Sequence, residues 1–337
     1  MRSNTTQTMP IGENGTSLAG RLIPQALTDA AATFVDSLKL SSVSEKVCRG
    51  KRVVFKRRNA YSEQLADLAN LYFRMSSIPI RFWSKVEDWR RWESECFQML
   101  NGDRFRVLAA GAKTVCVDKL PGKTLWDHLN RGTLTRQMLE AAGRELRRAH
   151  QLWSDEFGGG WSHGDATMSN VIYDEKTGRA RMIDFELIHD KSVPAKSRHA
   201  DDLLVFLLDV VAIAPGRQWL PFALSFLHAY ADPVVIAELT NHLALPNGMA
   251  WIWWGVRTSF SNPAKVKQRL AKLRDVTANL GYYRAFAAKR VRQRRRPSTS
   301  CQVISAGIPS PISRARATKA RAKAPSPEMP SRWPTTR

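Results

Sequence analysis

Three polar residues around two short predicted strands have the types and the spacing for metal-assisted chemistry. Asp165 lies in a loop after the glycine run at 158–160, and Asn170 follows at the start of a strand-like run. Asp184 ends the next strand-like run, across a turn at 175–178. Two strands joined by a tight turn bring Asn170 and Asp184 side by side, and an amide oxygen beside a carboxylate suits Mg²⁺. Asp165 would then face the cleft as a base or as a positioner of an incoming hydroxyl.

The elements that must hold these residues form a β-rich first part and a helical second part. Two strand-like runs at 43–48 and 52–57 flank Arg49-Gly50-Lys51 and predict a hairpin. Further strands are predicted at 105–109, 114–119, 170–173 and 181–185. Helical spacing of apolar residues recurs at 24–38, 65–75, 86–100, 138–149 and 201–287. Strands followed by helices, with one helix pair embedded among the strands, predict an α+β fold.

A motif in the second part resembles a known catalytic loop. The sequence HGDATMSN begins at His163, and Ile183-Asp184-Phe185 follows after the turn. Together they resemble the catalytic and metal-binding loops of the protein-kinase-like superfamily. Gly164 stands where protein kinases have arginine, which is similar to the aminoglycoside and choline phosphotransferases and to the lipopolysaccharide-core (Kdo and heptose) sugar kinases.

The resemblance implies a fold, a cofactor and three roles. The implied fold is two-lobed and protein-kinase-like, with a small β-rich N-lobe and a larger helical C-lobe. The implied phosphoryl donor is ATP with Mg²⁺. Asp165 is the implied catalytic base, and Asn170 and Asp184 are the implied metal ligands.

The first part of the chain carries the implied nucleotide contacts. The run ending at Lys56 (VVFK) resembles the strand whose lysine contacts the α- and β-phosphates of ATP. The helical partner of that lysine is Glu93, with Glu95 as the alternative. Phe97 and Leu100, four and seven residues after Glu93, favour Glu93.

The catalytic loop also has an implied anchor, and the pattern departs from protein kinases in three ways. Asp201 or Asp202, which opens an apolar helix, is placed like the buried aspartate that steadies the loop. No Gly-x-Gly-x-x-Gly precedes Lys56, and the equivalent turn lies near Ser41-Ser42. Glu186 follows Asp184-Phe185 where protein kinases have glycine, and the short interval to Asp202 leaves no room for a regulated activation segment.

Charge is distributed unevenly along the 337-residue chain. The formal charge is +22, and residues 289–337 hold thirteen Lys and Arg residues against one acid, Glu328. We expect a flexible leader at 1–20, a nucleotide-binding lobe at 21–120, a helical catalytic and acceptor lobe at 121–288, and a disordered basic tail at 289–337.

Composition predicts the compartment. The four cysteines include no Cys-x-x-Cys pair, which favours a reduced intracellular protein over a disulfide or zinc framework. The apolar runs fall short of the ~20 residues that a membrane span needs. We expect a cytoplasmic protein with a solvated basic tail, and contact of that tail with nucleic acid or with the anionic inner face of a membrane is the alternative.

Two classes of function fit these features. The first is an ATP-dependent phosphotransferase acting on a hydroxyl of a small molecule, a sugar or a lipopolysaccharide-type acceptor, with an atypical Ser/Thr protein kinase as the alternative. The helical insertion at 60–86 is similar to that of lipopolysaccharide-core kinases. The second class is a non-catalytic, pseudokinase-like binding module with a docking tail. The missing glycine loop favours this module, whereas the presence of Lys56, Asp165, Asn170 and Asp184 favours the enzyme.

Overall fold

The structure is a computed structural model that describes residues 40–108, 111–259 and 261–294. For residues 280–294 it describes the backbone and not the side chains. The predicted leader, the predicted helix at 24–38 and residues 295–337 of the predicted tail lie outside the described residues.

The described residues form eleven strands and nine α-helices, with every strand before residue 190 and the last five helices after it. The strands are β1 (Ser41–Cys48), β2 (Lys51–Arg58), β3 (Ile80–Phe82), β4 (Val107–Leu108), β5 (Thr114–Asp118), β6 (Lys123–Thr124), β7 (Trp153–Ser154), β8 (Gly159–Gly160), β9 (Val171–Asp174), β10 (Arg179–Met182) and β11 (Leu187–His189). The helices are α1 (Ser62–Met75), α2 (Val86–Asn101), α3 (Leu125–Asn130), α4 (Arg136–His150), α5 (Ala195–Ile213), α6 (Trp219–Tyr230), α7 (Pro233–His242), α8 (Ala250–Arg257) and α9 (Pro263–Arg294).

The largest sheet has four antiparallel strands in the order β1-β2-β5-β4. The predicted hairpin is confirmed. Its turn is made by Arg49 and Gly50, whose φ angles of 51° and 74° are the left-handed values that a two-residue hairpin turn needs. Successive residues of a strand point to opposite faces, so Lys56 and Arg58 are buried while Arg57 between them is exposed. This alternation directs Lys56 and Arg58 to the same side of β2.

The predicted strand pair after the HGDATMSN motif is also confirmed, with β9 and β10 antiparallel. The Ile183 N–H continues this pairing by donating to the Asn170 carbonyl oxygen (2.9 Å). The strand predicted to reach Phe185 ends at Met182 instead, because Asp184 has a φ of 65° that no regular strand accommodates. Beyond this break, β11 pairs with β3, which ties the chain after Asp184 to the segment before α2.

The helical part surrounds α5, which is buried along most of its length. One hydrophobic core joins α5 to α4, α6 and α7 and also to α2 of the β-rich part. Helix α9 runs past residue 289 to Arg294, so the predicted start of the tail lies inside a helix.

The predicted α+β class is confirmed by antiparallel sheets and separate helices. The division into two lobes stays a prediction. Within the described ranges, none of the helices has both the length and the apolar character of a membrane span.

Candidate active site

The ammonium group of a buried lysine lies close to three carboxylates from separate segments. Lys56 of β2 lies 3.0 Å from Glu93 Oε2 of α2 and forms an ion pair with Asp184 Oδ1. Glu186 Oε1 lies 3.4 Å from the same ammonium group. Helix α2 lies beside this sheet because Val86 and Trp89 pack against Val115 of β5, the neighbour of β2. We call Lys56, Glu93, Asp184 and Glu186 the lysine cluster.

Electrostatics in the lysine cluster favour the ammonium form. Burial pulls the pKa of Lys56 down, but Asp184, Glu186 and Glu93 outweigh burial and raise that pKa above its ordinary value. Burial raises the pKa of Glu93, an effect that Lys56 opposes. For Asp184, the attraction of Lys56 outweighs burial and holds the pKa below its usual range. The lysine therefore stays charged in the pH range of a cell.

Glu93, and not Glu95, is the helical partner of Lys56. Glu93 is 6% exposed, and its Oε2 also accepts the Phe185 N–H at 3.1 Å. Glu95 is exposed. One carboxylate thus connects the lysine strand to the backbone next to Asp184.

The other predicted residues meet in the loop after β8. The Asn170 Nδ2 donates to the carbonyl oxygen of Asp165 (2.8 Å) and to its Oδ2 (3.2 Å). Burial raises the pKa of Asp165 to about 6, and the nearby charge of Arg257 opposes this rise. A carboxylate with such a pKa is ionised at neutral pH and still basic enough to take a proton from a bound hydroxyl.

Asp202 anchors this loop, and Asp201 does not. Asp202 is fully buried and accepts two successive backbone N–H groups, from His163 (2.7 Å) and Gly164 (2.8 Å). His150 Nε2 lies 3.0 Å from the same carboxylate. Gly164 has a φ of 85°, and a Cβ there would come within 3.0 Å of the β11 backbone, which explains glycine at this position. Asp201 instead pairs with His189 at 3.1 Å.

The lysine cluster and the loop that carries Asp165 and Asn170 lie beside one cavity of about 400 Å³. Asp165, Asn170, Asp184 and Glu186 line it, while Lys56 and Glu93 lie behind this wall. The remaining lining residues come mainly from the helical part and its approaches: Phe82, Trp126, Thr167, Ser169, Leu187, Asp209, Trp253, Val256, Arg257 and Ser259. Residues that are far apart in the sequence, from Phe82 to Ser259, thus line the same cavity.

Sequence reasoning did not assign three charged groups of this wall to the site: Glu186, Asp209 and Arg257. Asp209 is 5% exposed, accepts the Met168 N–H at 2.7 Å, and has a pKa that burial raises to about 7. In the sequence, Asp209 stands out only as an acidic residue within an otherwise apolar helix. Arg257 donates to the Gly164 carbonyl oxygen (3.0 Å) and lies 3.6 Å from Asp201. No local pattern connects Arg257 to a loop so distant in sequence.

The donor set fits a magnesium ion that completes its shell with phosphate and water. Among the described residues, no three His, Cys, Asp or Glu side chains cluster as a protein-made metal cage. Asn170 uses its amide nitrogen on Asp165, which leaves the amide oxygen for a cation. Asp184 keeps 45% of its side chain exposed at the cavity. One carboxylate and one amide are the sparse protein set that Mg²⁺ accepts beside phosphates.

Comparison with known proteins finds structural similarity and no match by sequence. No family model and no curated protein matches the chain. A Mycobacterium tuberculosis protein solved as the Rv3197–erythromycin complex is 16% identical with a TM-score of 0.31, and the match covers 55% of this chain and about half (51%) of that one. Plasmodium vivax ethanolamine kinase is 8% identical with a TM-score of 0.35, covering 70% of this chain and 82% of that one. At these TM-scores, functional inference rests on this chain's own residues.

Proposed function

We propose that this protein is an ATP-dependent phosphotransferase that transfers the γ-phosphoryl group to a hydroxyl of a small-molecule acceptor, including sugars of the lipopolysaccharide type. The observation that carries the proposal is the meeting of the lysine cluster with Asp165 and Asn170 at one cavity. These residues come from β2, α2 and the segments on either side of the β9–β10 hairpin. The resemblance of the HGDATMSN motif to kinase-like catalytic loops also supports the proposal.

Each residue has a role in this reaction. Lys56, held by Glu93, orients the phosphates, and Asp184 with Asn170 would hold Mg²⁺. The metal, when bound, neutralises charge on the triphosphate. Asp165 accepts the proton of the acceptor hydroxyl while the acceptor oxygen bonds to the γ-phosphorus. The bond from that phosphorus to the β–γ bridging oxygen breaks, and ADP leaves with the bond's electron pair.

The cavity supports a small acceptor over a protein acceptor. Its volume of about 400 Å³ lies in the range of small-molecule sites. The pairing of β11 with β3 begins three residues after Asp184 and therefore leaves no room there for a long regulatory loop. Contact of the basic tail with nucleic acid or an anionic membrane, and a cytoplasmic location at the inner membrane face, stay predictions.

An ATP-consumption screen tests the proposal. Sugars, amino alcohols, aminoglycosides and generic protein substrates are supplied in turn, with and without Mg²⁺. We expect consumption that requires both Mg²⁺ and a hydroxyl acceptor of small size. Consumption with protein substrates alone would favour the protein-kinase alternative. Binding of ATP without consumption under any condition would favour the non-catalytic module.

A further inference from the structure

Arg58 is a buried cation whose two terminal nitrogens lack hydrogen-bond partners in the part of the chain that the structure describes. Its side chain lies on the same face of β2 as Lys56, about 7 Å further along the strand. The residue is 3% exposed, yet neither Nη1 nor Nη2 has a hydrogen-bond partner within the described ranges. A buried guanidinium without hydrogen bonds is costly, so its position calls for an additional group that accepts from it.

Other unsatisfied donors lie beside Arg58. Ser41 is directly opposite Arg58 across the β1–β2 pair, which places the two side chains on one face. The buried Ser41 hydroxyl also lacks a partner among the described residues. Trp89 lies with its ring under the guanidinium, at 4.7 Å from Cζ, and its indole N–H is likewise without an acceptor there. The stacking covers the face of the guanidinium and leaves its N–H edge free.

The unsatisfied groups are mainly donors, and the matching ligand is therefore an oxyanion. Planar guanidinium groups bind phosphate through two parallel N–H···O bonds. Burial lowers the pKa of Arg58, and the charges of Glu186, Glu93 and Asp184 oppose this change. Glu186 also has an Oε1 without a hydrogen bond in the described part of the chain. Because Asp184 and Glu186 line the cavity while the two cations do not, an entering phosphate would reach the cations by displacing these carboxylates.

We propose that Arg58 and Ser41 form a second phosphate subsite beside Lys56, which grips the nucleotide in place of a glycine-rich loop. The inference rests on the proposed function and adds to it the means of holding the phosphates. A chain of three phosphates that contacts Lys56 with one group can bring another to Arg58. The predicted position of the missing glycine turn, near Ser41-Ser42, is the strand end that carries this subsite.

Calorimetric titration of the full chain tests the subsite without any acceptor. The probes are Mg²⁺ with the non-hydrolysable analogue adenylyl imidodiphosphate, and adenosine. We expect Arg58→Met to weaken binding of the analogue about 10- to 100-fold, the loss that follows removal of charge-assisted hydrogen bonds. Adenosine affinity should not change. Arg57→Met is the matched control, because it removes an equal charge from the exposed face of the same strand, and it should bind both probes like the wild type.

Thermal unfolding without ligand separates binding from a structural role. Because neither Nη1 nor Nη2 of Arg58 has a hydrogen-bond partner within the described residues, Arg58→Met breaks no such bond and should melt at or above the wild-type temperature. Arg58→Lys keeps the charge without the planar fork, and should lose part of the analogue affinity. Three results would overturn the subsite. The first is that Arg58→Lys or Arg58→Met binds the analogue as tightly as the wild type does. The others are equal losses of affinity for the analogue and adenosine, and a lower melting temperature of ligand-free Arg58→Met. Failure of the wild type itself to bind the analogue would instead overturn the proposed function.

Discussion

The catalytic loop and the lysine cluster lie beside the same cavity but are held in different ways. Asp202 fixes the loop through two backbone N–H groups and His150, all of them buried. The lysine cluster is held by ion pairs between side chains, and three carboxylates share one ammonium. Asp184, one of the three, is 45% exposed.

The catalytic loop is therefore a fixed region, whereas the lysine cluster is an exchangeable region, in which ligands can replace some of the ion-pair partners. Backbone hydrogen bonds to a fully buried carboxylate permit one geometry, so the fold itself positions Asp165 before any ligand binds. Three carboxylates lie around Lys56 and also act on the nearby cation Arg58, so they outnumber the two cations. A metal ion and phosphates can therefore take partners from the cluster without unfolding it.

Removal of the loop anchor should have the largest effect. Asp202→Ala leaves the N–H groups of His163 and Gly164 buried and unpaired, and we expect a loss of about 3–5 kcal/mol in the free energy of unfolding together with loss of turnover. Urea denaturation measures the first and ATP consumption the second. Asp201→Asn, one residue earlier and 26% exposed in its side chain, is the control and should lose much less stability. Equal stability losses in both variants would contradict the assigned anchor.

Removal of the base should leave the fixed loop in place and affect the chemical step. Asp165→Ala should lower kcat by ~10²–10⁴-fold, the usual contribution of a positioned base. Nucleotide affinity should stay near the wild-type value, because Asp165 faces the acceptor. Steady-state kinetics and calorimetry on the same preparation check both statements. A fall in nucleotide affinity as large as the fall in kcat would place Asp165 on the nucleotide instead.

A smaller effect is expected within the exchangeable region. Glu93→Gln should lower kcat/KM for ATP about 10-fold, since Lys56 loses a charged hydrogen bond but keeps two other carboxylates. Glu95→Gln is the matched control on the exposed side of the same helix and should have no effect. Combining Lys56→Met with Glu93→Gln should cost less than the two single losses together, because the residues are in contact. Strict additivity would show that the pair does not act as a unit.

Asp209 should make the stability of the fold depend on pH. Burial raises the pKa of this carboxyl from 3.8 to about 7 in the folded chain. Between these pH values the unfolded chain releases the proton and the folded chain retains it, so the free energy of unfolding falls as the pH rises from about 4 to about 7, and the effect is constant above pH 7. Asp209→Asn removes this dependence. Its stability advantage over the wild type should grow to about 1–3 kcal/mol by pH 8. An advantage that is equal at pH 4.5 and pH 8, measured by urea denaturation, would contradict the assignment.

Local patterns in the sequence predicted those structural features that depend on residues close together in the chain. The β1–β2 hairpin follows from Arg49-Gly50, and the β9–β10 pair follows from two short runs around a turn. The motif then placed Asp165, Asn170 and Asp184 close together. The choice of Glu93 over Glu95 also followed from local spacing, because one helical face carries the apolar residues that pack into the core.

Contacts between distant segments could not be predicted in this way. Arg257 reaches the Gly164 carbonyl oxygen only through the packing of α8, and Glu186 joins Lys56 because the strand ends early at a left-handed Asp184. Aspartate is one of the few non-glycine residues enriched at positive φ, but most aspartates adopt other φ values, so residue type alone does not place the break at Asp184. The lone signal for Asp209, an acid in an apolar helix, indicated a buried charge but not the cavity it faces.

The most direct test of the proposed phosphotransferase is ATP consumption by the wild type and by Asp184→Asn, each with and without Mg²⁺, alongside their melting temperatures. The substitution removes the one carboxylate assigned to the metal, while Lys56 keeps Glu93 and Glu186 as partners. The account predicts Mg²⁺-dependent consumption by the wild type, no detectable consumption by the variant, and a similar melting temperature for both. Consumption by Asp184→Asn at the wild-type rate would contradict it.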